Sequence, residues 1–153
     1  TGLYLLNNML GGPGMNSRLN LALREHSGLV YNVESNLASY TDTGVFSIYF
    51  GTDERDANRC IELVNSELNR LRERPLNALQ LAAAKKQIIG QIGVASDNFE
   101  NSALGMAKTF LHYNSFENSQ AVYQRIEKLT AHDLWDIANE LFTPDNLTTL
   151  MYK

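Results

Sequence analysis

The stretch "LGGPGMNSRLNLALREHSGLVYNVES", residues 10–35, contains in order a helix break, a short helix, a turn and the start of a strand. Its "GGPGM" segment ends the apolar helix predicted over residues 3–10, because glycine and proline interrupt helices. Asn16 or Ser17 can cap a second helix, which follows this break. Gly28 comes just after that helix, at the position where a left-handed backbone conformation is often required.

The residues after Gly28 predict an antiparallel hairpin followed by a series of helices. Residues 29–40 have an extended pattern, "TDTG" at 41–44 is a turn signal, and residues 45–52 are rich in β-branched and aromatic side chains. From Asp53 onwards the apolar residues recur in steps of three and four, which predicts helices. The predicted helices cover residues 53–72, 76–95, 103–113, 122–129 and 130–141, and a closing strand is predicted over residues 147–152.

The segregation of strands from helices favours an α+β fold, in which an antiparallel sheet carries helices on one face. The closing strand is expected to return to the hairpin, where it can bury its apolar side. We expect one domain over residues 1–153, because this length suits a single core and no linker or repeat interrupts it. The chain opens inside a predicted helix without an initiator methionine, so we expect a piece excised from a longer polypeptide, lacking its first strand.

Composition limits the classes of partner. The net charge is −4 and there is no basic run, so neither nucleic acid nor an anionic membrane is an expected partner. The apolar stretches are far shorter than the roughly 20 residues that span a bilayer. Cys60 is the single cysteine, which excludes an internal disulfide and is expected to be a buried, inert thiol. The compartment is only weakly constrained, with the cytoplasm favoured over the periplasm.

The histidines and carboxylates do not form a metal-binding pattern. None of His26, His112 and His132 has a second histidine three or four residues away, so no helical turn presents two imidazoles to one ion. Glu25 and His26 point about 100° apart on a helix and cannot bind the same metal. A GxSxG nucleophile elbow and a GK[ST] phosphate loop are also missing. The sequence therefore predicts no catalytic residue, no metal ligand and no cofactor in this chain.

Arg24 and Tyr31 are candidates for ligand binding. Arg24 lies in the last turn of the second predicted helix, Tyr31 lies near the start of the first strand, and the reversal at Gly28 can bring both side chains to one rim. A guanidinium offers a rigid fork of donors and a phenol offers a hydroxyl, which together suit a peptide carbonyl or an oxyanion. From the chemistry alone, the bland alternative is favoured, in which Arg24 pairs with a surface carboxylate and Tyr31 lies in the core.

The stretch at residues 10–35 resembles the second-domain signature of the pitrilysin-type zinc peptidases, the M16 family. The matching pieces are Gly11–Gly12, Ser17–Arg18–Leu19, Arg24–Glu25, Gly28–Leu29 and Tyr31. The tail "LTAHDLWDIANELFTPDNLTTLMY", residues 129–152, resembles the closing helix and strand of that domain. The two long helices between these segments fit the family in order and length, so the resemblance covers nearly the whole chain.

The resemblance implies an αβ roll domain of a zinc-dependent metalloendopeptidase, in which two similar domains close around a peptide or unfolded polypeptide substrate. It implies that zinc is held by an HxxEH motif in the other domain, on the same chain or a separate subunit. This domain would be catalytically inactive, and Arg24 and Tyr31 would bind substrate near the scissile bond. The glycine-rich loop of the family implies further substrate contacts at Gly11, Gly12 and Gly14.

Two other functions stay open at the level of the sequence. The chain could be a non-catalytic structural or partner subunit of the same family, or a stand-alone peptide-binding module. Cleavage specificity, oligomeric state and the arrangement of the domains do not follow from the residues.

Overall fold

The computed structural model describes residues 1–40, 42–115 and 118–152. In these ranges the chain forms α-helices, a π-helix and a two-stranded antiparallel sheet, which confirms the predicted α+β class. The elements are α1 (Gly2–Gly11), the π-helix (Asn20–Glu25), β1 (Val30–Ser39), β2 (Gly44–Thr52), α2 (Ala57–Glu73), α3 (Ala78–Ser96), α4 (Phe99–Tyr113), α5 (Ser119–Lys128) and α6 (Ala131–Leu141). Short 3-10 turns at Glu54–Asp56 and Pro144–Asn146 precede α2 and follow α6.

β1 and β2 form the predicted hairpin, with residue pairs running from Ser39 opposite Gly44 to Val30 opposite Thr52. Thr41, in the predicted turn, lies outside the described residues. Helices cover the inner face of the hairpin, where α1 packs on β1, whereas the outer face is open to solvent. The outer face carries the exposed side chains of Glu34, Asn36, Val45 and Tyr49.

The pairing of the two strands shifts by one residue at Tyr31. Val30 lies opposite Thr52, but Asn32 lies opposite Gly51, so Tyr31 is an extra residue in a β-bulge. Val30 and Val33 are both buried, and the two residues between them are both exposed. A regular strand alternates its faces residue by residue, so the bulge is what allows both Tyr31 and Asn32 to face away from the core while Val30 and Val33 stay buried.

The second helix is a π-helix, whereas the sequence analysis expected an ordinary helix. Three backbone hydrogen bonds of 2.9 Å define its end: His26 N–H to Leu21 O, Gly28 N–H to Arg24 O and Leu29 N–H to Leu23 O. The last two are nested like a Schellman closure, but each spans one residue more. Gly28 has a φ of +61°, which is the left-handed conformation that its position predicted.

The core lies between the inner face of the hairpin, α1 and the helices that follow. Its fully buried large apolar side chains are Leu5, Leu6, Leu10, Leu19, Leu23, Ile88, Ile126, Leu134 and Phe142. Phe142 follows α6, and its ring centroid lies 5.1 Å from that of Phe46 in β2. This contact fixes the end of the last helix against the sheet.

Side chains cap α6 and close the end of α2. Thr130 caps α6 as predicted, because its Oγ1 accepts from the N–H of Asp133 at 3.1 Å while the Asp133 carboxylate accepts from the N–H of Thr130 at 2.7 Å. Trp135 Nε1 in α6 donates to the carbonyl oxygen of Arg72 at 2.6 Å. Arg72 lies in the last turn of α2, where carbonyl groups lack helical partners, so α6 closes the end of α2.

The predicted closing strand is not formed. Residues 147–152 have no regular secondary structure, and the side chains of Leu150 and Tyr152 are 73% and 86% exposed. A strand is stable when its backbone groups pair with a neighbour, and the only sheet in the described ranges contains β1 and β2 alone. The apolar pattern of these residues is typical of a strand, but they do not pair with either open edge of the hairpin, so the prediction of a closing strand is wrong.

α4 is the least covered helix of the fold. Its side chains at Phe99, Leu104, Met106 and Leu111 are each more than half exposed, and α3 is the main element that it contacts in the described part of the chain. In the same ranges, no helix is both long and apolar enough to cross a lipid bilayer.

Replacing Phe142 by alanine should destabilise the fold by about 3–5 kcal/mol, because the change empties a fully buried site against Phe46. Chemical denaturation of the chain, monitored by circular dichroism, measures this loss. Tyr152→Ala is the control, since it removes an aromatic ring that is 86% exposed. A loss for Phe142→Ala no larger than that of the control would contradict the packing described above.

Candidate functional site

The turn at Gly28 connects the two elements that carry Arg24 and Tyr31, the candidate residues of the sequence analysis. Arg24 lies in the π-helix, and its guanidinium is exposed. It makes no hydrogen bond and no ion pair with any residue in the described ranges. The alternative in which Arg24 pairs with a surface carboxylate is therefore not seen there, and the donors of its guanidinium face solvent.

Tyr31 is not a core residue, since it is 73% exposed. Its hydroxyl donates a hydrogen bond of 2.7 Å to Oδ1 of Asp53, the residue that follows β2. This hydrogen bond, together with the negative charge of Asp53, raises the pKa of Tyr31 above its usual value of 10.0. The phenol is therefore protonated throughout the neutral pH range, and its proton points towards the carboxylate.

Asp53 is a site residue that the sequence analysis missed, because it was read only as the start of a helical pattern. The register of the hairpin is the feature that places Asp53 near Tyr31. Thr52 lies opposite Val30, so the next residue on each strand, Asp53 and Tyr31, lies close to this last pair. Asp53 also lies 3.6 Å from the guanidinium of Arg55, which limits its net negative field.

A second hydrogen bond fixes the turn against the end of β2. The Thr52 hydroxyl donates to the carbonyl oxygen of Leu29 at 2.5 Å, and the thiol of Cys60 in α2 contacts the same hydroxyl at 3.6 Å. Cys60 is a buried free thiol, as expected. Because Leu29 directly follows Gly28, these contacts hold the turn to the sheet and to α2. The frame that carries Arg24 and Tyr31 is thus rigid, although no hydrogen bond joins the two side chains.

The glycines of the first loop have a structural reason for their small size. Gly11 is the last residue of α1 and is buried, and a side chain there would meet the backbone of Ser35 in β1. The Ser35 hydroxyl donates to the carbonyl oxygen of Asn7 at 2.9 Å across the same contact. Gly12 is also buried and Gly14 is partly buried. Substrate contact by these glycines stays a prediction.

The other titratable side chains in the described ranges do not form a metal site. Glu25 and His26 are exposed, and His132 stacks on Trp135 at a centroid distance of 5.2 Å. Across the ranges that the structure describes, no three or more histidine, cysteine, aspartate or glutamate residues are arranged to hold a metal ion. The donor set of these ranges therefore does not fit zinc, and a zinc ion of this family would need ligands from elsewhere.

The chain has clear similarity to known sequences. A family profile described as the Peptidase M16 inactive domain matches residues 1–88. A Bacillus subtilis protein described as an uncharacterized zinc protease is 28% identical over 149 residues, which cover 97% of this chain and 36% of that protein. A probable mitochondrial-processing peptidase subunit alpha-2 of Arabidopsis thaliana is 27% identical over 87% of this chain and 27% of its own length. The chain spans about a third of the length of the curated relatives it matches.

Solved structures share the fold. A crystal structure of a peptidase M16 inactive domain from Pseudomonas fluorescens superposes with a TM-score of 0.74 at 24% identity, covering 91% of this chain and 33% of that one. A protease from Helicobacter pylori gives a TM-score of 0.77 at 21% identity, covering 93% and 34%. At these identities the superpositions establish the fold alone.

Replacing Asp53 by asparagine should lower the pKa of Tyr31 towards its usual value, because the variant removes the charge that holds the phenolic proton. Absorbance titration of phenolate measures the shift, and subtraction of the Tyr31→Phe curve isolates this residue. Asp145→Asn, in the turn after α6, is a matched control.

The same hydrogen bond makes stability depend on alkaline pH. The folded pKa of Tyr31 lies above the unfolded value, so the stabilisation is fully present below pH 10 and is lost as the pH rises through the folded pKa. Wild-type and Asp53→Asn titration curves that coincide would contradict the role of Asp53.

Proposed function

The chain belongs to the Peptidase M16 inactive domain family, and from that premise we propose that it binds the peptide substrate of a zinc-dependent endopeptidase through Arg24 and Tyr31. The family is that of the inactive domains of zinc proteases, and the relatives named above include zinc proteases. The proposal therefore concerns which residues of this domain meet the substrate and what each of them does.

The observation that carries the proposal is the free guanidinium of Arg24. It is exposed and makes no hydrogen bond or ion pair within the described ranges, although the chain as a whole is acidic. An exposed arginine on a rigid turn keeps its N–H donors for a ligand, and these donors suit a peptide carbonyl oxygen. They suit even better the negative oxygen that develops when the carbonyl is attacked.

Tyr31 supplies a second polar contact whose direction is set by Asp53. While the phenolic proton points to the carboxylate, the Tyr31 oxygen offers its lone pairs, so it accepts from the N–H of a bound peptide. Donation to a carbonyl oxygen requires the hydroxyl to leave Asp53. The raised pKa keeps the proton on the phenol while the hydroxyl is bonded to Asp53.

The zinc chemistry belongs to a homologous domain with an HxxEH motif, on the same polypeptide or a separate subunit. When bound there, zinc polarises the carbonyl and lowers the pKa of a water molecule. This domain binds the other side of the peptide, with the backbone of an open edge of its hairpin available for strand addition. On its own the chain is expected to bind peptide without hydrolysing it.

The kinetics of the chain assembled with its zinc-bearing domain test the proposal. Arg24→Ala should lower kcat/KM for a peptide substrate by about 100-fold, as loss of one oxyanion donor does in other hydrolases. Tyr31→Phe should also lower kcat/KM, by a smaller factor, since it removes one hydrogen bond. Arg59→Ala and Tyr40→Phe are matched controls, because both residues are exposed and lie away from the Gly28 turn.

The same assay separates the alternatives. The Arabidopsis relative is described as a peptidase subunit, which favours a non-catalytic partner subunit as the second candidate function. In that case Arg24→Ala would leave kcat/KM of the assembly unchanged. A stand-alone module would bind peptide equally well with and without both substitutions. Zinc-dependent turnover by the 153-residue chain alone would contradict the assignment of catalysis to another domain.

A further inference from the structure

A groove of about 720 Å³ lies along one side of the π-helix, where Arg18 precedes the helix and His26 follows it. The second half of α2 and the segment leading into α3 form its opposite wall. This volume lies within the range of sites that bind small ligands or single side chains. Arg24 and Tyr31 do not line the groove, so it is separate from the site proposed above.

Arg18 is the feature of this groove that lacks an internal explanation. Its side chain is partly buried, and within the described ranges it makes no hydrogen bond and no ion pair. Burial, opposed by the charge of Glu67 and reinforced by that of Arg70, lowers the pKa of Arg18. A partly buried guanidinium without a partner is unfavourable, since each donor loses water and gains nothing in return.

Glu67, the acidic residue whose charge acts on Arg18, already forms an ion pair with Arg70. Glu67 is buried, and its carboxylate accepts from the guanidinium of Arg70 at 2.6 Å. The remaining charges on the lining are Arg74 and Glu73, both exposed at the rim. Three arginines against two glutamates leave the groove with a net charge of +1, on a chain whose net charge is −4.

The rest of the lining combines the polar side chains of His26, Ser27, Ser66 and Gln80 with apolar ones from both walls. Leu21 and Ala22 come from the π-helix, and Leu63, Pro75 and Leu76 face them from α2 and the α2–α3 connection. An inorganic anion would leave these surfaces uncovered. An acidic side chain flanked by apolar ones would cover them and place its carboxylate on the guanidinium fork, in the bidentate geometry that arginine favours.

We propose that this groove binds an acidic peptide segment, and that Arg18 pairs with its carboxylate. The segment is extended enough to lay apolar side chains against the leucines on both walls. Arg18 then has the partner that the described part of the chain does not supply, and the excess positive charge of the groove is neutralised. The inference is independent of the function proposed for Arg24 and Tyr31, because it uses neither residue.

Calorimetric titration of the chain with two blocked peptides tests the proposal. One peptide carries a glutamate between leucines, and the other carries glutamine at the same place. We expect the glutamate peptide to bind at least about tenfold more tightly, the effect of one hydrogen bond between charged groups. Arg18→Gln should abolish the difference, and Arg18→Lys, which keeps the charge but loses the fork, should retain part of it. Arg59→Gln is the control that should leave the difference intact.

A measurement on the unsubstituted chain guards against a variant that fails to fold. NMR signals of the Arg18 guanidinium should shift on addition of the glutamate peptide and not of the glutamine peptide. Equal affinities for the two peptides, or unchanged Arg18 signals, would overturn the proposal. Tighter binding of inorganic phosphate than of the glutamate peptide would also overturn it, since the site would then be one for a free anion.

Discussion

The left-handed turn at Gly28 is the constraint on which the rest of the site depends. It ends the π-helix, reverses the chain and delivers it into β1 within two residues. The nested backbone hydrogen bonds from Gly28 and Leu29 close the helix, and the hydroxyl of Thr52 fixes the carbonyl oxygen of Leu29. Any other residue at position 28 would carry a side chain in a conformation that disfavours one. The relative placement of Arg24 and Tyr31 follows from this single backbone geometry.

The π-helix gives the domain two chemically different sides. One side presents Arg24 to solvent beside the start of the hairpin, and the other lines the groove that contains Arg18. Both arginines lack partners in the described ranges, in a chain with more acidic than basic residues. The described residues of the domain contain no metal ligand set, but they do present two guanidinium groups at fixed places. Its contribution lies in positioned donors rather than in reactive groups.

Much of the fold follows from the sequence because its signals are local. Apolar residues in steps of three and four gave the helices, and Thr130 was recognisable as a cap because hydroxyl and acidic residues are spaced to satisfy the first turn. The position of Gly28 relative to the helix predicted its left-handed conformation. In each case the residues that decide the structure lie within one or two turns of each other.

The features that the sequence analysis missed depend on which backbone groups pair with each other, and the sequence does not display that pairing. The π-helix has the same residue types as an α-helix and differs by one residue in its hydrogen bonding. Tyr31 and Val33 lie two residues apart in a predicted strand, where regular alternation would place them on one face, but the bulge separates Tyr31 from Val33. Residues 147–152 have the composition of a strand, yet composition does not show whether a segment pairs with an edge of the sheet, and these residues do not. Asp53 became visible as a site residue only through the hairpin register.

The bulge depends on the number of residues between Val30 and Val33, and not on the type of side chain at Tyr31. Val30 and Val33 hold the strand to the core from either side, so their separation decides how many residues face outwards between them. Deleting either Tyr31 or Asn32 would restore regular alternation and keep the hairpin. No side chain of the core would be lost. Sequences of related domains that align without gaps at this point are expected to present two neighbouring side chains outwards, and a one-residue gap marks a domain that presents only one.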